Sequence, residues 1–176
     1  MTKEKTMGII LAVLVIGAVL GIVLVTRGGS DEQSISPAIN DGVYLVPQAG
    51  GAPFREIADV EIRVNTEDFM GGQTKIAYDS TCANVTNWER NTADFPLGTW
   101  ESGTPGEEWI TFTAMEALIG GNYLIGTLTI RCVSEGDCTT ALEFVEDVAT
   151  GSALFDDNGS QVPTTWRDGT FQCSPL

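Results

Sequence analysis

The chain has 176 residues, with 9 basic residues against 24 acidic ones, a net charge of −15 and no histidine. That length suits one domain of ordinary size plus an appendage. Beyond Arg27 six basic residues face 23 acidic ones, a balance of −17, and such a surface repels nucleic-acid phosphates and anionic membranes. Without histidine, a Ser-His-Asp triad, a Cys-His pair and a His-bearing zinc site are all excluded; a two-carboxylate glycosidase stays formally open, but spacing singles out no pair among the scattered acids, and the reading is a non-enzyme.

In chain order, Met1–Lys5 carries Lys3, Glu4 and Lys5, and Met7–Val25 then runs 19 residues without a charge. As a helix that stretch spans about 28 Å, the thickness of a hydrocarbon core. It exceeds a usual signal-peptide apolar region, and no small-x-small cleavage site follows in Thr26-Arg27-Gly28-Gly29. Residues 1–27 therefore read as an uncleaved transmembrane signal-anchor, N-terminus cytoplasmic, placing the rest of the chain outside a cell membrane. A cleaved signal peptide is one alternative. A pilin-type peptide cut near Gly8, which leaves the apolar helix for filament assembly, is another. Gly17 and Gly21 form a GxxxG pair that would let such helices self-associate, although glycine is common in membrane helices anyway. Residues 28–40 (GGSDEQSISPAIN) are polar and glycine- and serine-bearing, a flexible linker.

From Asp41 onward short apolar runs alternate with turn signals about every ten residues, the pattern of a β-sandwich. Strands are expected at Gly42–Pro47, Val60–Asn65, Gln73–Asp79, Cys82–Trp88, Trp109–Met115, Tyr123–Val133, Thr139–Val145, Ala153–Phe155 and Thr170–Cys173. Val60, Ile62 and Val64 alternate with Glu61, Arg63 and Asn65, the period of two of a half-buried strand. Residues 66–72 read as a turn with paired glycines, joining this strand to Gln73–Asp79 as an antiparallel pair. Arg90–Glu108 reads as a long irregular connection. The expected fold is all-β, one jelly-roll β-sandwich of eight or nine strands over residues 41–176.

The stretch GGQTKIAYDSTCANVTNW resembles the early strands of cohesin domains, in which an alternating strand ends in Tyr-Asp-Pro-x-Val or a variant. Here Ser80 follows Tyr78-Asp79 in place of the proline, and Cys82 is extra. EEWITFTAM, NYLIGTLTIRCV and LFDDNGSQVPTTWRDGTF are similar to the later strands of the family in order and spacing, with Asp168-Gly169-Thr170-Phe171 the best match. The resemblance covers about Gly42 to Cys173 and extends to related carbohydrate-binding modules. It implies a non-catalytic cell-surface module that captures a partner protein, since in cohesins one sheet face binds the calcium-loaded dockerin module of another protein. Carried onto this chain, that face would present Lys75, Ala77 and Asp79, then Trp109, Thr111 and Thr113, then Ala141, Glu143 and Val145. The same positions also suit an ordinary solvated face. A polysaccharide-binding module and a structural subunit of a surface layer or filament are the alternative functions.

Four cysteines, Cys82, Cys132, Cys138 and Cys173, form an even set that in an exterior domain reads as disulfides. The short glycine-containing loop between Cys132 and Cys138 suggests a hairpin staple, leaving Cys82 with Cys173. A four-thiolate zinc site is the competitor, but no CxxC knuckle is present. Asn84-Val85-Thr86 and Asn158-Gly159-Ser160 are N-glycosylation sequons. Asp156-Asp157-Asn158-Gly159 reads as an Asn-Gly β-turn with no cofactor, a small calcium loop on Asp156 and Asp157 being the alternative. Trp88, Trp100, Trp109 and Trp166, with Tyr44 and Tyr123, would either stack on sugars as an aromatic platform or fill the sandwich.

Overall fold

The computed structural model describes residues 42–66, 68–147 and 150–176; the predicted anchor Met7–Val25 and the linker 28–40 lie outside them. Thirteen strands are present among the described residues: β1 (Gly42–Val46), β2 (Ala49–Pro53), β3 (Ile57–Thr66), β4 (Phe69–Ala77), β5 (Ala83–Arg90), β6 (Trp100–Thr104), β7 (Glu107–Leu118), β8 (Gly121–Cys132), β9 (Cys138–Phe144), β10 (Ala153–Phe155), β11 (Gln161–Val162), β12 (Trp166–Arg167) and β13 (Gly169–Ser174). They build an all-β sandwich of two sheets. The smaller sheet runs β12-β1-β3-β8-β5; the larger runs β11-β10-β4-β9-β13-β2, with β7 on the other edge of β4 and β6 outside β7. Pairing is antiparallel except where β1 meets β12 and β13 meets β2.

Period-two alternation turns one face of each sheet inward. Val60, Ile62 and Val64 of β3 meet Ile110, Phe112, Leu128, Ile130, Leu142 and Phe171 in one core, each at most 1% exposed. Each such side chain contributes about 1.5–3 kcal/mol by leaving water, so the shared core is what joins the sheets.

Two sequence expectations about this region are corrected. Val60–Asn65 and Gln73–Asp79 do not pair: β3 lies between β1 and β8 in the smaller sheet, while β4 crosses to the larger sheet against β7, β9 and β10. Gly71 and Gly72 belong to β4 itself and form no turn. A Cβ on Gly72 would stand 2.6 Å from the Ala153 carbonyl oxygen and one on Gly71 2.6 Å from that of Phe112, so the bare backbone lets β7 and β10 flank β4 closely. Strand number also rises from eight or nine to thirteen, because β2, β11 and β12 are short and β6 lies inside the presumed irregular connection. That connection is packed through Phe95, which is fully buried with its ring 5.3 Å from Phe112 and 6.1 Å from Phe69. The Arg90 guanidinium fastens it further by donating to the carbonyls of Gly98 and Pro96.

The expected cysteine pairing is corrected as well. Cys82 joins Cys138 and Cys132 joins Cys173, with Cα–Cα distances of 5.9 and 5.4 Å. Residues 133–137 do not close a hairpin, because β8 ends in the smaller sheet and β9 begins in the larger one. Cys138 lies opposite Cys173 across β9 and β13, while Cys132 lies opposite Ala83, the neighbour of Cys82. Each bridge therefore ties one sheet to the other at the same end of the sandwich.

Candidate functional site: the outer face of the larger sheet

Strand register decides which side chains share a face. Lys75 lies opposite Trp109 and Gln73 opposite Thr111 across β4 and β7, and Ala77 lies opposite Glu107 on one side and Glu143 of β9 on the other. Their inward neighbours Thr74, Ile76, Ile110 and Phe112 are fully buried, so the odd-numbered positions point out. Lys75, Ala77, Trp109, Thr111, Thr113, Ala141 and Glu143 thus occupy one continuous outer face. β6, missed in the sequence because Ser102 and Gly103 interrupt its pattern, extends it: Glu101 pairs with Trp109, and Thr99 bonds Thr111 through both backbone and hydroxyl, the latter at 2.9 Å. Leu97 closes the row opposite Thr113.

Trp109 is half-buried among these neighbours, and Lys75 Nζ meets Glu107 at 3.0 Å. The face sets Trp109 and Ala77 among the carboxylates of Glu101, Glu107 and Glu143, with threonine hydroxyls further along β7. Apolar and polar groups are thus interleaved on one hydrogen-bonded sheet, a mixture compatible with a protein-binding patch.

The remaining predicted residues fall elsewhere. Asp79 lies past the end of β4, where its carboxylate accepts from the Thr81 amide at 2.8 Å and the Thr81 hydroxyl at 2.7 Å; these bonds hold its pKa below the ordinary value. It shapes the β4–β5 turn. Val145 lies beyond β9, its amide donating to the Lys75 carbonyl at 2.9 Å. Asp156 accepts from the amides of Asn158 and Ser160, Asp157 accepts from the Asn158 side chain, and Gly159 has φ 76°. Both carboxylates are thus engaged in the turn between β10 and β11. Asn84, on β5 of the smaller sheet, and Asn158, in that turn, are both exposed.

The aromatic residues do not assemble into a platform. Tyr44 is 3% exposed, and Trp88, Trp100, Trp166 and Tyr123 are half-buried. Trp166 packs on Phe144 with ring centroids 5.3 Å apart. Trp100 has a different task, donating its indole N–H to Glu108 at 2.7 Å.

Glu108 is the residue that sequence reasoning missed. It is an inward-facing, fully buried carboxyl on β7, and it accepts from Trp100, from the Tyr78 hydroxyl at 2.7 Å and from Ser102 at 3.3 Å. The Tyr78 hydroxyl in turn accepts the Val85 amide of the other sheet at 3.3 Å. Burial, reinforced by the bond to Glu108, pushes the Tyr78 pKa up to about 12. The signal was present in the phase: Glu108 alternates with Ile110 and Phe112, which predicts an inward carboxyl.

No family model and no curated protein matches the chain. Solved structures do. A non-cellulosomal cohesin from the archaeon Archaeoglobus fulgidus superposes with a TM-score of 0.58 at 14% identity, covering 75% of this chain and 91% of its own. A type II cohesin domain from the cellulosome of Acetivibrio cellulolyticus gives 0.58 at 12% identity, covering 75% and 95%. The cohesin of a type I cohesin–dockerin complex from Clostridium thermocellum gives 0.59 at 9% identity, covering 76% and 99%. The fold is the cohesin-like β-sandwich. At these identities the likeness establishes fold, and the cohesin resemblance read from the strand patterns holds at that level.

Proposed function

We propose that this protein is a non-catalytic binding module, exposed on the outside of a cell and anchored through Met7–Val25, that captures a module of another protein. One observation carries the reading: the outer face of the larger sheet gathers Lys75, Ala77, Trp109, Thr111, Thr113 and Glu143 side by side. The fold supports it, since a relative of that fold was solved as a cohesin–dockerin complex. The smaller sheet offers a poorer protein surface, as its outward side chains on β3, β5 and β8 are nearly all polar or charged and include the sequon residue Asn84. With the domain outside, Asn84 would carry an N-linked glycan on the opposite sheet, and Asn158 one on the turn between β10 and β11. The polysaccharide reading has less support because the tryptophans form no exposed platform, and a filament or surface-layer subunit would need the apolar segment to assemble.

The test uses the full-length chain, oxidised and immobilised in detergent, exposed to surface and secreted material with calcium and then with a chelator. Elution of one protein by the chelator, lost on Thr113→Arg, is the expected result. Retention of polysaccharide alone, indifferent to calcium and to Thr113→Arg, would transfer the function to the carbohydrate-binding class. Ordered self-assembly without any captured partner would favour the structural subunit.

A further inference from the structure

The candidate face is chemically bipolar. At one end stand Leu97, opposite Thr113, and Met115, two positions further along β7; they are 56% and 69% exposed. Ile119, 77% exposed, lies just past β7 on the turn into β8. Glu116, next to Met115, is also exposed there, where the register of β4 and β7 shifts, so this end carries one carboxylate against the three of the other. At the other end are the carboxylates of Glu101, Glu107 and Glu143, flanking Trp109 and Ala77. The cation among them, Lys75, already pairs with Glu107, so that end keeps a net negative charge. Between the ends lie the hydroxyls of Thr99, Thr111 and Thr113. From Glu107 to Met115 the strand rises about 27 Å.

Exposed leucine, methionine and isoleucine side chains lose unfavourable hydration only against an apolar partner. Carboxylates on a polar rim favour a cationic partner and steer its approach. Both conditions applied to one face fix the partner's polarity and orientation. Resting on the protein-binding function proposed above, we infer that the partner docks an amphipathic element, apolar at one end and rich in lysine or arginine at the other, with its basic end over Glu101, Glu107 and Glu143 and its apolar end over Leu97 and Met115. The smaller sheet also bears carboxylates, with Asp59, Glu61 and Glu89 around a cavity of about 440 Å³. Its remaining lining is Thr127, Thr129, Val46 and Pro47, and Glu61 is held by Arg63. It has no row of exposed apolar side chains to orient an amphipathic ligand. Charge alone would bind cations on both faces, whereas the inferred polarity belongs to one.

The probe is a synthetic peptide of about 20 residues, enough for a helix as long as the face, with lysines through one half and leucines through the other. It is titrated into the full-length protein and joined by carbodiimide, which links lysine to carboxylate; a photoreactive leucine reports the other end. Expected are lysine cross-links to Glu101, Glu107 and Glu143, photolabelling of Leu97 or Met115, and affinity about tenfold weaker in Glu101→Lys/Glu143→Lys. Affinity also falls as salt rises from about 0.05 to 0.5 M. Glu89→Lys on the opposite face leaves binding unchanged. Cross-links to Asp59, Glu61 and Glu89, reversed orientation, or equal binding of a peptide with glutamates for lysines would each overturn the inference. A natural partner lost on Thr113→Arg but indifferent to salt and to Glu101→Lys/Glu143→Lys would overturn it while leaving the protein-binding function standing. Indifference of both partner and peptide to Thr113→Arg would sink both.

Discussion

Glu108 shows how one buried polar group organises its neighbours. Its carboxyl gathers donors from β6 through Trp100 and Ser102, and from the end of β4 through Tyr78. Removing it strands the indole N–H without an acceptor and leaves the phenol hydroxyl only the Asn84 side-chain oxygen at 3.5 Å, so Glu108→Ala should lower stability by about 2–3 kcal/mol. Urea titration measures this; a loss below ~1 kcal/mol would mean that water replaces the carboxyl. Tyr78 adds a pH dependence whose sign is set by its raised pKa of about 12. Between the ordinary phenol value near 10 and about 12, the folded chain keeps a proton that the unfolded chain releases. Stability from this group is therefore complete below pH ~10 and falls as pH rises toward ~12. Urea midpoints measured across that window should drop in the wild type, and Tyr78→Phe should remove that part of the drop. The inward orientation of Glu108 was legible from its alternation with Ile110 and Phe112. Its donors were not, because Tyr78, Ser102 and Trp100 converge only once β6 and β4 flank β7.

At the scale of elements, local pattern located strands well and their partners poorly. The nine expected strands all exist, with ends shifted by a few residues, yet Val60–Asn65 and Gln73–Asp79 lie in different sheets. Nearness in sequence suggests pairing, but a sandwich sends consecutive strands across the core, and nothing in the alternation of either strand reports that crossing. The same ambiguity misdirected the cysteines, whose pairing depends on which sheet β8 and β9 join. Cleavage after Glu135 separates Cys132 from Cys138 and allows a direct assignment under non-reducing conditions. The products should link a Cys82 peptide to a Cys138 peptide and a Cys132 peptide to a Cys173 peptide; a Cys82–Cys173 product would refute the topology. The Gly71-Gly72 pair carries a third expectation. A methyl group on Gly72 would enter the space of the Ala153 carbonyl and the Leu154 side chain, so Gly72→Ala should cost about 1–3 kcal/mol and loosen β10. Thermal unfolding checks the first effect, and hydrogen exchange at Ala153–Phe155 the second.

For the whole molecule, the inter-sheet bridges and the proposed exterior location support one another. The bridges close loops with sequence separations of 56 and 41 residues, for which chain entropy gives about 4 kcal/mol each. Their sum rivals the whole stability of a typical domain, about 5–15 kcal/mol. Bridges of that weight fit the oxidising exterior proposed above, where disulfides form and persist. Delivery there is the task of the proposed anchor, Met7–Val25. Deleting Met1–Arg27 should then leave the chain in the reducing cytoplasm with four alkylatable thiols and a much shorter lifetime, while the full chain, quenched with alkylating agent during lysis, should show none. The deleted form, purified and oxidised, should regain the fold, because the core formed by the described residues runs from Val43 to Cys173. If the deleted form instead remained reduced, folded and stable inside the cell, the bridges would be dispensable and the exterior assignment would fail with them. Were it reduced, unstable and rescued by oxidation, compartment and covalent framework would form one dependence, and the binding face on the larger sheet would be available only where that framework forms.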